Sequence, residues 1–186
     1  MPSPMAELPA GVQRVLLDEE QIRRRVEALA QEICADYNGD CRLVLLAPLK
    51  GAVVFLADLM RRLDRPVGVS FVQASSYGNS TESSGVPELQ MDMCGDLSGA
   101  DVLVVEDIID TGRTLQRLVA AVRSRGAASV KVCCLLDKPA RRVVDLCPDY
   151  VGFEIADDFV VGYGLDFAEQ HRNLPYVAVL DPDAAG

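Results

Sequence analysis

The sequence predicts an α/β domain built on a mostly parallel sheet. Three observations lead there. Short apolar runs alternate along the chain with segments whose apolar residues recur at helical spacing. The runs are uninterrupted rather than two-faced, as expected of strands covered on both sides. And 186 residues, nearly half of them apolar, suffice for one sizeable core.

The elements follow in order. Residues 1–17 are expected to be a partly ordered arm. From Asp18, DEEQIRRRVEALAQEICADY places Ile22, Val26, Leu29, Ala30, Ile33 and Tyr37 on one face of a helix. Asp18 can cap that helix with Gln21 as its reciprocal partner, and Asn38-Gly39 ends it. RLVLLAP (42–48) reads as a buried strand, GAVVFLADLMRRL (51–63) as a helix and VGVSFVQ (67–73) as the next strand. Residues 74–100 are long and irregular, with a first half rich in Ser, Gly and Asn. A stretch of that length is usually functional or mobile. A β-hairpin with a loose tip is the plainer reading, and a hairpin can serve as a lid. DVLVVED (101–107) is a strand and RTLQRLVAAVRSRG (113–126) a helix with Leu115, Leu118, Val119 and Val122 on one face. SVKVCCLLD (129–137), DYVGFEI (149–155) and YVAVL (176–180) supply further strands. With no internal repeat and no second core, residues 1–186 read as a single domain.

The formal charge is −10, from 18 Lys plus Arg against 28 Asp plus Glu. Such a surface repels nucleic acid and anionic membranes, so any bound anion needs a local site that overcomes the field. Six cysteines without C-x-x-C spacing and a single histidine make a zinc cluster a poor fit. A chain of this length has no need of a disulfide framework. The N-terminus lacks a basic and an apolar signal region, and no apolar run approaches membrane-spanning length. The expected compartment is a reducing cytoplasm.

The informative stretch is VLVVEDIIDTGRTL, residues 102–115. Ligands of open parallel sheets bind beyond the carboxyl ends of the strands. Glu106, Asp107 and Asp110 are expected just past such an end, and Thr111, Gly112 and Thr114 at the start of a helix. A helix N-terminus offers free backbone N–H groups, Gly112 permits close approach, and the threonines add hydroxyl donors. That half suits a phosphate. The carboxylates suit hydroxyls, or a magnesium ion carried in with the ligand. A ribose 5-phosphate has this polarity. An acidic turn with a Thr-rich helix cap is the bland alternative for so short a motif. No P-loop, third dinucleotide glycine or nucleophile elbow occurs.

The same stretch resembles the phosphoribosyl pyrophosphate motif of purine phosphoribosyltransferases. APLKGAVVFLADL, SSYGNST, DVLVVEDIIDTGRTL, LLDKPARR and PDYVGFEIADDFVVGYGLDFAEQHRNLPYVAVL occur in that order. Together they are similar to the bacterial hypoxanthine-guanine branch, over about residues 40–182. The resemblance implies the type I phosphoribosyltransferase fold. That is a mostly parallel twisted sheet flanked by helices, with a small hood over the C-terminal sheet edge. Parts of the N-terminal segment and about residues 138–175 would form the hood. The implied reaction joins a 6-oxopurine, hypoxanthine or guanine, to phosphoribosyl pyrophosphate with Mg2+, releasing pyrophosphate.

Roles then carry over by position. Glu106 and Asp107 match the carboxylates that hold the ribose hydroxyls, partly through magnesium. Asp110 matches the general base or acceptor near N7 of the base, where a carboxylate can also stabilise developing positive charge. Residues 110–114, with Gly112 and Arg113 and the hydroxyls of Thr111 and Thr114, match the 5′-phosphate loop. Lys50 and Gly51 match the pyrophosphate loop, in which the bond corresponding to Leu49–Lys50 can be cis. Lys138 matches the donor to the exocyclic O6, and a donor without an acceptor favours 6-oxo over 6-amino purines. Phe159 matches the ring that stacks on the base and Val160 the residue whose backbone meets its 2-position edge. For these two, plain core packing of DFVVGY is a strong competing reading. Asp166 matches a second carboxylate on the metal side and Arg172 an arginine reaching pyrophosphate. Ser76 and Tyr77 match the mobile loop that closes over the site and excludes water.

Some positions depart from the family pattern. Gln73 stands where eukaryotic relatives carry arginine. Phe167, Ala168 and His171 stand where many relatives have Tyr, Asn, and Tyr or Phe. These flank Asp166 and Arg172 and bear on base preference, with xanthine as a further candidate substrate. A regulator of the same fold that binds RNA is the alternative class. The charge of −10 and the presence of Lys138, Phe159 and Asp166 argue against it. The family tends towards homodimers and homotetramers.

Overall fold

A computed structural model describes residues 8–37, 39–76, 89–93 and 95–181. A six-stranded sheet is its centre, in the order β4-β3-β2-β5-β6-β7. The strands are β2 (Leu43–Pro48), β3 (Gly68–Ser76), β4 (Leu89–Met93), β5 (Asp101–Ile109), β6 (Ser129–Asp137) and β7 (Tyr150–Glu154). All neighbours pair in parallel except β4, which runs antiparallel to β3 as an edge hairpin. The hairpin reading of the irregular stretch thus holds for its two arms, and Gln73 lies opposite Asp92 in the pairing. The tip, residues 77–88 with Tyr77, lies outside the described residues.

Helices cover both faces. α1 (Glu19–Asp36) carries the expected capping box: the Asp18 carboxylate accepts from the Gln21 N–H at 2.7 Å, and the Gln21 side chain accepts from the Asp18 N–H at 2.9 Å. Its buried stripe is Ile22, Val26, Leu29, Ala30 and Ile33. With Phe55 and Leu59 of α2 (Val53–Met60) it packs on Leu45, Leu103, Val105, Cys133 and Leu135. The other face of the sheet shows Val44, Leu46, Val102, Val104, Val132 and Cys134 to Leu115, Leu118, Val119 and Val122 of α3 (Arg113–Ser124). Successive strand residues point to opposite faces. A strand sandwiched between helical layers therefore needs apolar residues at every position, which accounts for LVLL and VLVV. Cys133 and Cys134, adjacent and fully buried, divide between the two cores, and burial pushes both thiols up.

A second sheet has three antiparallel strands, β1 (Val12–Leu17), β9 (Val177–Leu180) and β8 (Val160–Val161), in the order β1-β9-β8. It fits the hood expected over the sheet edge. Two details correct the sequence reading. Residues 12–17, inside the arm expected to be only partly ordered, form a strand; the adjacent Gln13 and Arg14 break the apolar pattern, and the partner that orders them is far along the chain. β9 also belongs to this hood and not to the main sheet. No helix among the described residues is long and apolar enough to cross a membrane.

Candidate active site

The site gathers where the C-terminal ends of β2, β5 and β6 meet the hood. β5 runs to Ile109, two residues further than expected, so Glu106 and Asp107 lie within its C-terminal end rather than beyond it. Asp110 is the first residue past the strand. The loop from β5 turns at Gly112, whose φ of 80° is left-handed and open to glycine at little cost, and α3 starts at Arg113 with no side chain capping its end. A Cβ on Gly112 would stand 2.8 Å from Val144 Cγ2 and 3.0 Å from Arg142 Cδ. Segment 142–144 clasps this loop from outside. Val143 N–H donates to the Thr111 carbonyl at 3.1 Å, and Arg142 Nη1 donates to the Asp110 carbonyl at 3.0 Å. Arg142 is itself paired with the buried carboxylate of Asp137.

The loop after β2 lies directly beside these carboxylates. The Leu49–Lys50 peptide is cis. A Cβ on Gly51 would fall 1.8 Å from Asp107 Oδ2, and a Cβ on Gly164 would fall 2.1 Å from the Gly51 carbonyl oxygen. The loop is thus wedged between β5 and the hood with no room for a side chain on either glycine. Asp107 Oδ1 accepts from the Ile108 N–H at 2.9 Å. Removal from water, and then the charge of Asp107, hold the Glu106 carboxyl well above the usual carboxylate range.

Beyond β6, Lys138 is buried, and its Nζ donates to the Asp158 carbonyl at 2.7 Å with Asp157 Oδ1 at 3.6 Å. Arg141, on a single 3-10 turn (Pro139–Arg141), bridges Asp110 Oδ1 at 2.9 Å and Asp157 Oδ2 at 3.3 Å. Asp158 is tied to β1 by Arg14 at 2.8 Å. Phe159 is 44% exposed and meets Phe167 edge to face, ring centroids 5.7 Å apart. Val160 is buried, so its side chain serves the hood core while its backbone stays in the short strand beside Phe159.

Asp166 stands apart from Glu106 and Asp107. Its Oδ1 pairs with Arg172 Nη2 at 2.8 Å, and its Oδ2 accepts from the Glu169 N–H at 2.9 Å. Among the described residues no group of three or more potential ligands could hold a metal ion together. The resemblance makes Asp166 a second carboxylate on the metal side; its carboxylate faces Arg172 and the Glu169 N–H, and it does not gather with Glu106 and Asp107 into one three-ligand group. Glu106 and Asp107 alone fit magnesium, which takes one or two protein carboxylates and fills its remaining positions with water and substrate oxygens. Their crowded charge is what such a cation relieves.

Three contributors were not legible as site residues. Glu169 reaches Lys50 Nζ at 2.9 Å across 119 positions of sequence. Arg141 meets Asp110, although it lies inside the quoted LLDKPARR segment. Gly164 closes over Gly51. All three lie inside segments already singled out, Arg141 shortly after Lys138 and Gly164 and Glu169 on either side of Asp166, but no local pattern joins them to their partners.

Residues 13–168 match the phosphoribosyl transferase domain family. The chain is 47% identical to the hypoxanthine-guanine phosphoribosyltransferase of Bacillus subtilis over 92% of its own length and 94% of that protein's. The protein of the same name from Aquifex aeolicus is 45% identical, over 95% and 99%. A Listeria monocytogenes bifunctional protein TilS/HprT is also 47% identical, but there the chain spans only 26% of the relative. A crystal structure of a hypoxanthine-guanine phosphoribosyltransferase from Bacillus anthracis superposes with a TM-score of 0.84 at 46% identity, covering 91% of this chain and 99% of that one. On this similarity in sequence and structure, the chain belongs to the hypoxanthine-guanine phosphoribosyltransferase family.

Proposed function

We propose that the protein transfers the 5-phosphoribosyl group from phosphoribosyl pyrophosphate to N9 of hypoxanthine or guanine, giving IMP or GMP and pyrophosphate in purine salvage. The observation that carries this reading is the wedge of Gly51 between Asp107 and Gly164. It supports a single site in which the pyrophosphate loop, the sugar-phosphate loop and the hood share one ligand.

The left-handed turn at Gly112 and the uncapped start of α3 present backbone N–H groups of residues 110–114 to the 5′-phosphate, with Thr111 and Thr114 adding hydroxyls. Glu106 and Asp107 hold the ribose hydroxyls and a magnesium ion, which when bound neutralises charge on the pyrophosphate. Lys50 and the Gly51 backbone receive the leaving pyrophosphate, with Arg172 beside them. Asp110 accepts from N7 of the base and stabilises the positive charge that develops on the sugar as the bond to pyrophosphate breaks. Lys138 has one of its three ammonium donors on Asp158, which leaves donors for a 6-oxo group and no acceptor for a 6-amino one. Phe159 covers the base and the Val160 backbone meets its 2-position. Asp166 orients Arg172 and is read as the second carboxylate on the metal side. Ser76, the last residue of β3, leads into the loop proposed to close over the site. The unit is read as one domain over 1–186, cytoplasmic and a homodimer or homotetramer.

The test is turnover with phosphoribosyl pyrophosphate, Mg2+ and hypoxanthine, guanine, xanthine or adenine in turn. Nucleotide is expected from hypoxanthine or guanine, and the xanthine arm sets the breadth at the 2-position. Absence of product from every 6-oxopurine would remove the reading. Tight, salt-sensitive RNA binding in its place would identify the regulator class.

A further inference from the structure

Glu169 has no part in the roles above, yet it touches both cations placed beside the pyrophosphate. It sits in a tight turn in which the Phe167 and Gln170 backbones bond each other at 3.2 and 2.9 Å. Ala168, Glu169 and His171 all have left-handed φ, at 50°, 63° and 72°. Three non-glycine residues in that region within four positions are uncommon and cost free energy that surrounding contacts must offset. The anchoring contact is the Glu169 N–H on Asp166 Oδ2. So presented, Glu169 Oε2 meets Lys50 Nζ at 2.9 Å and Oε1 meets Arg172 Nη2 at 3.5 Å. The Lys50 and Glu169 side chains are each 66% exposed, so the pair lies at the open mouth of the site and not in the core. The hydrogen bond from Lys50 holds the Glu169 carboxyl below the usual carboxylate range, so it is charged at neutral pH.

We infer that Glu169 is an internal surrogate for pyrophosphate: its carboxylate occupies the Lys50 and Arg172 cations and competes with the diphosphate for them. The inference rests on the phosphoribosyltransferase reading given above. A carboxylate presents two anionic oxygens to the same donors as a phosphoryl group, with less charge and on a tether. Incoming pyrophosphate, or the pyrophosphoryl end of the substrate, must displace it and then lie beside a negative charge. When the product leaves, Glu169 re-pairs the cations at once. Its presence therefore weakens product retention.

A simple brace between the hood turn and the loop after β2 predicts the opposite sign, since losing a brace loosens the site. Glu169→Gln separates the two, because the amide keeps the size and one acceptor but removes the charge. Pyrophosphate, with and without Mg2+, is titrated calorimetrically into the full chain and the variant, and the product-inhibition constant and KM for phosphoribosyl pyrophosphate are measured alongside. The expected result is roughly fivefold tighter pyrophosphate in the variant, the scale of a charge pair at an exposed site. The KM for phosphoribosyl pyrophosphate should fall in parallel. Equal or weaker pyrophosphate binding by the variant overturns the surrogate role while leaving the enzyme reading intact. If the unaltered chain neither binds pyrophosphate nor turns over, both are overturned together.

Discussion

Gly51→Ala isolates the wedge. Gly51 has no left-handed φ, so its own backbone accepts alanine; the obstacle is its neighbour. The added Cβ would lie 1.8 Å from Asp107 Oδ2, whereas ordinary contact begins near 3.4 Å. The difference, 3.4 − 1.8 = 1.6 Å, must be absorbed by the Asp107 carboxylate or by the loop that carries Lys50. Either movement separates the sugar-hydroxyl grip from the pyrophosphate cradle. Misplacement of reacting groups by 1 Å costs on the order of 100-fold, so kcat/KM for phosphoribosyl pyrophosphate should fall by at least about 100-fold, or about 2.7 kcal/mol. Stability should suffer less. Overpacking costs about 1–3 kcal/mol, and each kcal/mol moves Tm by roughly 2–4 °C in a chain of this size. Steady-state kinetics at a temperature well below the variant's Tm, with a thermal melt on the same sample, read both quantities. A variant with kcat/KM within about threefold of the parent would refute the reasoning, because a 1.6 Å displacement cannot be silent if the two loops share one ligand.

Four further outcomes are expected. Asp110→Asn should lower kcat by about 100-fold or more, the scale of a lost general base, with KM for phosphoribosyl pyrophosphate nearly unchanged; an unaltered kcat would end the role given to Asp110. Lys138→Gln exchanges a pure donor for a donor and an acceptor, so kcat/KM for hypoxanthine should fall roughly 10- to 100-fold and discrimination against adenine should shrink, which paired assays on the two bases would check. Arg142→Ala strands the buried Asp137 carboxylate and should cost about 3–5 kcal/mol, visible as a fall in denaturant midpoint; replacing both residues by apolar ones should cost less than Arg142→Ala alone. Magnesium binding should expel a proton, because Glu106 holds its own at a pH where ordinary carboxylates have lost theirs and the metal prefers the ionised form. Affinity should therefore rise as pH climbs towards the folded Glu106 value and level off above it. Calorimetry in two buffers of different ionisation heat reads the release, and no release, or release retained in Glu106→Gln, would contradict the assignment.

The elements with a buried stripe were legible because packing demands a period. SVKVCCLLD ends as a strand where the sequence places it, and the Asp18–Gln21 box starts α1 as expected. β1 was missed because its burial is partial and its order comes from β9, a partner no local window contains. β5 was read two residues short, ending at Asp107, because paired carboxylates look like the end of a strand, although β6 continues to pair with Ile108 and Ile109. In the site, residues whose role a motif carries were found, and those whose contact is made only through space, Arg141 and Glu169 among them, were not, although both lie inside quoted motifs. Lys50 announces an anion; nothing in its neighbourhood announces Glu169. Ala168 takes a left-handed φ of 50° that no local pattern around it announces.

The pairing of β1 with β9 also sets an order of assembly. A chain emerging from a ribosome has every strand of the six-stranded sheet in hand by Glu154, with the wall of α1 and the Gly112 turn already made. β1, synthesised first, waits for its partner until Leu180 appears. The half of the protein that grips sugar and phosphate can therefore exist before the half that covers the purine. Base recognition is the last capability this chain acquires during its own synthesis.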